Sequence, residues 1–291
     1  MATVIPFSTD IPVLLIDTSY YIFHRYFATL RWFSFKEPNL ETERLCDHVG
    51  FMEAYWKHLQ QDLVKYRKKL GLGKNGTLVF LRDCPQATIW RREFYGEYKA
   101  GRVVSSKLDT RIFQSTYEGL RERGYPMVSQ DGLEADDLAY LTKQSIRRIS
   151  PNQRLVYISN DNDYIQLCDE GTQCFNASLK NIQERCKFGG TAALETRAKI
   201  LLGDRSDAIP PCWAGALKRA YPTLDPLLTM EEAALMEVLR SIGSGDGGDA
   251  LVAQFQQNQR LIDWAHIPEV YQIRFSQLYR FVADGCECGH T

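Results

Sequence analysis

Apolar positions along this chain follow two rhythms. Short unbroken runs at "VLLID" (Val13–Asp17), "TLVFLRD" (77–83), "YPMVSQ" (125–130) and "RLVYISN" (154–160) predict buried strands. Between them, apolar residues recur at steps of three and four. Leu45, Val49, Met52, Trp56, Leu59, Leu63, Tyr66 and Leu70 predict a long helix from about residue 41 to 70 with one apolar face. Further helices are predicted after Asp17 ("TSYYIFHRYFATL"), over about 109–123, from "GLEADDLAYLTKQSIRRI", and from "TAALETRAKILLGDRSDAIP", which runs into an acidic loop. "RWFSFKEPN" predicts a polar loop, "GKNG" a turn and "GSGDGG" (243–248) a flexible loop; beyond Pro211 the signals are helical. Strands alternating with helices predict an α/β fold with a central parallel sheet flanked by helices on both faces. In such sheets ligands sit beyond the carboxyl ends of the strands.

Those ends are acidic. Asp17, Asp83 and the pair Asp161/Asp163 each follow a predicted strand, and Asn162 rather than a cation separates the pair. Turn chemistry alone accounts for any one of them. Glu134, Asp136 and Asp137 fall where a helix begins, and simple capping explains them equally well. On a continuous helix, positions two apart point about 200° away from each other. Glu134 and Asp136 therefore serve one site only if the motif straddles the helix start. Asp204 and Asp207 ("GDRSD") add a polar turn after another helix.

Taken together, so many like charges in one cleft are unfavourable unless cations neutralise them. Hard divalent ions with oxygen ligands suit such a set, Mg²⁺ foremost, and no His-rich or Cys-rich cluster points to zinc. Two ions roughly 4 Å apart can activate a water and stabilise the leaving oxygen of a phosphodiester. The chemistry indicated is phosphoryl transfer.

A net charge of −1 gives no sign of a nucleic-acid binder, although an acidic site can mask a basic groove. The eight cysteines form no CxxC pair, "MATVIPFSTDIP" has no secretory character, and no run reaches transmembrane length. Reduced thiols in an intracellular protein are expected. The tail "CECGH" (Cys286, Cys288, His290) holds too few ligands for a soft-metal site and is expected to fray.

The ordered set "LLIDTS", "VFLRD", "EYKAGR", "GLEADD", "ISNDNDYIQL" and "GDRSDAIP" resembles the 5′-nuclease superfamily: flap endonucleases, phage 5′-exonucleases and the 5′-nuclease domain of bacterial DNA polymerase I. The resemblance spans about residues 13–210. It implies a PIN-like catalytic domain over 1–205, with a helical arch or clamp about 90–128, and a helical C-terminal duplex-binding region over 206–291. It implies Asp17, Asp83, Glu134 and Asp136 around one Mg²⁺ and Asp161, Asp163 and Asp204 around a second, with Mn²⁺ as a substitute. Asp137 and Asp207 match acidic motif positions with a less direct role. Lys99 and Arg102 would position the scissile phosphate, and Tyr98 would stack on a base.

Around them, Arg82, Arg91, Arg92, Lys107 and Arg111 form a basic run interleaved with Trp90, Phe94 and Tyr95, which suits nucleic acid and equally a solvated surface over core aromatics. "LRWFSFK" is a second candidate contact for a junction or an unpaired base, or hydrophobic cover. The family's glycine-rich hairpin, which grips duplex phosphates with a monovalent cation, reads "PCWAGALKRAYP" here. Pro211, Ala214 and Ala216 replace the expected glycines and put a K⁺ site in doubt, leaving Lys218 and Arg219 to hold phosphates.

The implied substrates are DNA 5′ ends, flaps or junctions, with RNA–DNA hybrid as a further candidate and replication proteins as partners; no membrane is involved. A haloacid-dehalogenase-type phosphatase leaves "EADD" without a role. A PIN-type endoribonuclease and a non-catalytic junction-binding protein are the rival readings.

Overall fold

A computed structural model describes residues 2–37, 42–102, 105–242 and 246–284. The predicted strands form as β2 (Val13–Asp17), β3 (Leu78–Leu81), β4 (Met127–Val128) and β5 (Leu155–Ile158). With β6 (Thr172–Phe175) they make a five-stranded parallel sheet in the order β4-β3-β2-β5-β6. From β2 the chain steps outward on one side through β3 and β4, and later on the other through β5 and β6. The loops leaving β2 and β5 therefore diverge, opening a crevice at the carboxyl ends.

Helices cover both faces. On one side lie α1 (Thr18–Lys36), α2 (Val49–Lys69) and, after the short α3 (Trp90–Phe94), α4 (Arg111–Glu122), sharing a core with Leu14, Ile16 and Phe80. On the other lies α5 (Ala135–Ile149), whose Leu138, Ala139 and Leu141 pack with Leu15, Val79 and Tyr157. The alternation of β2 explains the split: Leu14 and Ile16 face one core and Leu15 the other. A third core joins α6 (Ala192–Leu202), α7 (Gly215–Ala220), α8 (Asp225–Leu228), α9 (Glu232–Ile242) and α10 (Asp246–Ile262) to Ile89 and Tyr98. The chain then passes through α11 (Glu269–Leu278) into β7 (Tyr279–Ala283), which pairs in parallel with β1 (Thr3–Phe7).

Several expectations are corrected. Arg31 to Lys36 are not a loop but the last turns of α1, where Phe33 is buried and Phe35 is exposed. Leu45 sits in a separate 3₁₀ turn, and the buried stripe of α2 is Phe51, Tyr55, Leu59, Leu63 and Tyr66, with Val49 in solvent. β1, β6 and β7 escaped the pattern, β7 within a stretch read as helical. Each is short, and β1 and β6 alternate buried with exposed positions over too few residues to stand out. Residues 243–245 of "GSGDGG" and the "CECGH" tail lie outside the described residues, while 246–248 open α10. Among the described residues, no helix is long and apolar enough to cross a membrane.

Candidate active site

Asp17 ends β2 and caps α1. Its Oδ1 accepts from Tyr20 N at 3.0 Å and its Oδ2 from Ser159 Oγ at 3.0 Å. Burial, and then the charge of Asp83, push its carboxyl up to about 7. Asp83 follows β3 and accepts from Ala135 N, the first amide of α5, at 2.7 Å. Burial raises it as well, with the charge of Glu134 adding to the rise. Glu134 is the N-cap residue of α5, so the acidic motif does straddle the helix start and its side chains converge. Carboxylate oxygens of Glu134, Asp136 and Asp137 come within 4.8 Å of one another. Burial, then Asp137 and Glu134, push Asp136 well above the usual carboxylate range.

The three members of that motif have different surroundings. Asp137 is fully buried and engaged: Arg91 donates to it from Nη1 at 2.8 Å and Nη2 at 2.7 Å, and Trp90 Nε1 at 3.2 Å. It also accepts from Glu134 N at 3.1 Å, closing the helix start. Glu134 accepts from Lys99 Nζ at 2.5 Å, Tyr98 Oη at 2.9 Å and Arg91 Nη1 at 3.2 Å. Burial opposes its charge, yet Lys99 and Arg91 hold it below the usual range. Asp136 is partly exposed and, among the described residues, forms no ion pair, because Arg91 and Lys99 are engaged by Asp137 and Glu134.

On the β5 side, Asp161 caps a 3₁₀ turn over Asn162–Leu167 and accepts from Asp163 N at 3.0 Å. Lys199, from the end of α6, lies between Asp163 and Asp204, 2.7 Å from the Asp204 carboxylate. Burial raises Asp163 to about 6 against the pull of Lys199. At Asp204 burial is outweighed by Lys199 and Ser206, which hold it at about 2. Asp207 is buried beside Arg102 Nη2 at 2.7 Å, with Lys99 Nζ at 3.8 Å. Lys99 itself has φ of 56°, a left-handed conformation that strains a non-glycine residue. Its backbone is held there by hydrogen bonds from Lys99 N to Asp207 O at 3.1 Å and from Gln86 Nε2 to Lys99 O at 3.1 Å.

The basic run divides. Arg91, expected on a DNA-facing surface, is 2% exposed and also donates to Leu261 O, so it is an internal strut between α3, α5 and α10. Tyr98, expected to stack on a base, is buried with its hydroxyl on Glu134. Arg102 is half-exposed, Lys107, Lys218 and Arg219 are exposed, Arg92 is partly exposed, and Arg82 lies over the Tyr117 ring at 4.2 Å. Lys218 lies 4.6 Å from the Trp213 ring centroid, and the positive φ of 48° falls at Gly215, the first residue of α7, rather than at the flanking alanines.

Sequence reasoning missed Ser159, Lys199 and Arg185. The last donates to Asn160 O at 3.2 Å, Asn160 Oδ1 at 2.7 Å and Asn162 Oδ1 at 3.2 Å, so Asn162 anchors the acidic turn rather than merely spacing it. The only advance signal for Lys199 was its position one turn before "GDRSD" on a predicted helix.

A cleft walled by oxygen ligands from three strand ends and a helix start fits a hard divalent cation. The observation behind this is the approach of Glu134, Asp136 and Asp137 oxygens to within 4.8 Å, and a bound cation would also relieve the upward push on Asp17, Asp83 and Asp136.

Residues 12–195 match the family model "5'-3' exonuclease, N-terminal resolvase-like domain". The 5′-3′ exonuclease of Mycoplasma pneumoniae is 30% identical over 231 residues, covering 73% of this chain and 73% of that protein. That of Buchnera aphidicola subsp. Schizaphis graminum is 27% identical over 215 residues, covering 70% of this chain and 67% of its own length. DNA polymerase I of Helicobacter pylori is 26% identical over 75% of this chain, which spans only 23% of that much longer protein. Among solved structures, the bacteriophage T5 D15 flap endonuclease in a pseudo-enzyme-product complex with DNA and metal ions superposes with a TM-score of 0.62 at 18% identity, covering 91% of this chain and 97% of that one. The T5 5′-exonuclease with bound zinc gives 0.59 at 17% identity over 91% and 97%. At such identities the likeness is one of fold.

Proposed function

This chain belongs to the 5′-3′ exonuclease family and is a metal-dependent 5′-nuclease acting on DNA, and on that footing we propose how its residues divide the work. Asp17, Asp83, Glu134 and Asp136 hold one Mg²⁺, and Asp161, Asp163 and Asp204 hold a second, with Mn²⁺ able to replace either. The observation that carries this is the group of Glu134, Asp136 and Asp137 at the start of α5, whose carboxylate oxygens come within 4.8 Å of one another, with Asp83 on the first amide of that helix. Divalent ions there would acidify a water and neutralise the charge on a phosphodiester.

Within that frame, the chain's own groups have distinct tasks. Asp137, with both oxygens on Arg91, fixes the start of α5 and so aims Glu134 and Asp136. Lys99, now on Glu134, would turn to the scissile phosphate when an ion takes over that carboxylate, and Arg102, half-exposed on Asp207, would meet the phosphate beside it. The exposed Lys107, Lys218 and Arg219 hold the DNA backbone, whose contacts position without reading sequence. The preferred substrate is a 5′ end at a flap or junction, the division between catalytic and duplex-binding parts falls near residue 205, and a K⁺ site in the Trp213–Ala216 turn is not needed.

The test is Mg²⁺-dependent cleavage of a 5′-labelled flap, beside a blunt duplex and single-stranded RNA, with Asp161→Ala as control. Short 5′ fragments ending near the flap junction, absent with the variant, are expected. Preferential cleavage of the RNA would favour the endoribonuclease reading instead.

A further inference from the structure

The acidic motif at the start of α5 hangs on residues 129–134, the loop that leaves β4. β4 is an edge strand: Pro126 O and Val128 O accept from Phe80 N and Arg82 N at 2.9 Å each. By the alternation of a strand, the N–H and C=O of Ser129 then point away from the sheet. Tyr279, the first residue of β7, takes both. Its Oη accepts from Ser129 N at 2.8 Å and donates to Ser129 O at 2.6 Å. Next along the loop, buried Gln130 donates from Nε2 to Tyr271 O of α11 at 3.0 Å. Gly132 has φ of 88°, which favours glycine, and a Cβ there would collide with the Tyr271 ring. The end of the described chain thus grips this loop at three successive points.

The loop in turn carries the acidic groups. Leu133 O accepts from Cys84 N at 3.0 Å, so Asp83 sits between two residues, Arg82 and Cys84, whose amides are tied to positions 128 and 133. Ala135 N donates to Asp83 at 2.7 Å, and Glu134 is both the end of the loop and the N-cap of α5. Gly132 O accepts from Trp90 N at 3.0 Å, next to the Arg91 that holds Asp137.

We propose that Tyr279 and Tyr271 are positioning residues of the metal site: by pinning residues 129–134 they fix Glu134 and Asp136 against Asp83 in the arrangement that a divalent ion requires. This rests on the nuclease reading above and adds α11 and β7 to its site. A loop free to move must be ordered as the ion binds, and that ordering is subtracted from the affinity. Partners one layer behind the ligands avoid that loss by holding them in place beforehand. The Tyr279 ring is itself held, 5.3 Å from that of the buried Phe275.

The deciding variant is Tyr279→Phe, which removes one oxygen and both bonds to Ser129. Tyr55→Phe is the control for stability alone, because that phenol is buried in the other core with its hydroxyl on Thr116 Oγ1 at 2.8 Å. Mn²⁺ and Mg²⁺ binding to the full chain without DNA is measured by titration calorimetry, beside metal-free thermal unfolding, amide hydrogen exchange over 129–137 and the Mg²⁺ dependence of flap cleavage. Tyr279→Phe should bind the ions about tenfold more weakly, exchange faster over 129–137, and recover cleavage at saturating Mg²⁺. Tyr271→Ala should act in the same direction, whereas Tyr271→Phe, which keeps the ring over Gly132, should match the wild type. Tyr55→Phe should lower Tm and leave ion affinity alone. Wild-type ion affinity in Tyr279→Phe overturns the role, as does an equal loss of affinity in Tyr55→Phe. Because the ions are titrated without DNA, a chain that cleaves nothing yet loses affinity in Tyr279→Phe would overturn the nuclease reading alone.

Discussion

On one side of the cleft Asp17 and Asp83, with Asp136 at the start of the helix that Asp83 caps, form no ion pair among the described residues, and all three are pushed up. On the other, Lys199 bridges Asp163 and Asp204, and Arg102 holds Asp207. Both sides carry similar residues. The difference is where the protein has placed its compensating charge, and it teaches that carboxylate count alone does not rank cation sites. The side of Asp17, Asp83 and Asp136 should bind a divalent ion first, because only its Glu134 is shared with Lys99 and Arg91, whereas an ion on the other side must displace Lys199 from both Asp163 and Asp204.

The strongest way to break that comparison is to remove one carboxylate from each side. Asp17→Asn should reduce cleavage by about three orders of magnitude or more, yet raise the metal-free Tm at pH 8, because it removes repulsion. Asp204→Asn should lower the metal-free Tm, because it takes a partner from Lys199. Tm shifts of the same sign in both variants would sink the distinction.

Next in size is the strut. Arg91→Met leaves Asp137 buried and unpaired, which should cost about 3 kcal/mol or more by chemical denaturation. A loss below about 1 kcal/mol would mean that Arg91 sits at the surface, as its place in a basic run had suggested.

pH sharpens the contrast further. Asp17 at about 7 and Asp163 at about 6 hold protons in the folded chain that the unfolded chain releases near 4. Their contribution is therefore fully present below about pH 4 and is lost as pH rises through about 6 to 7. Metal-free stability should fall over that window by several kcal/mol, and saturating Mg²⁺ should flatten the slope; a metal-free Tm that rises from pH 5 to 8 would contradict it.

The smallest effect is expected at Lys99. Lys99→Ala should slow single-turnover cleavage about ten- to hundredfold while calorimetry shows Mg²⁺ binding undiminished. An unchanged single-turnover rate would remove Lys99 from phosphate positioning.

Much of this site was legible in the chain because strand ends and helix starts leave a local mark. Asp17, Asp83 and Asp161 each follow an apolar run, and the requirement that Glu134 and Asp136 straddle a helix start is met by the N-cap position of Glu134. What stayed hidden depends on contacts distant in sequence. Arg91 and Arg92 are adjacent and chemically identical, yet only Arg91 turns inward to Asp137 and Leu261, and nothing local distinguishes them. Lys199 meets Asp163 across 36 residues, and Ser159 meets Asp17 across 142. Of the three strands that escaped notice, β1 and β7 pair with each other across most of the chain.

That last pairing bears on how the protein is made. β1 is made before every other described element, but the strand it pairs with, Tyr279–Ala283, is the last of them. Ile5 and Phe7 belong to the same core as Phe281, Ala283 and the apolar face of α5, so that part of the core stays open until β7 has been made. Chains interrupted in α10 or α11 would carry every acidic residue discussed above and still lack the strand that seals the sheet behind them.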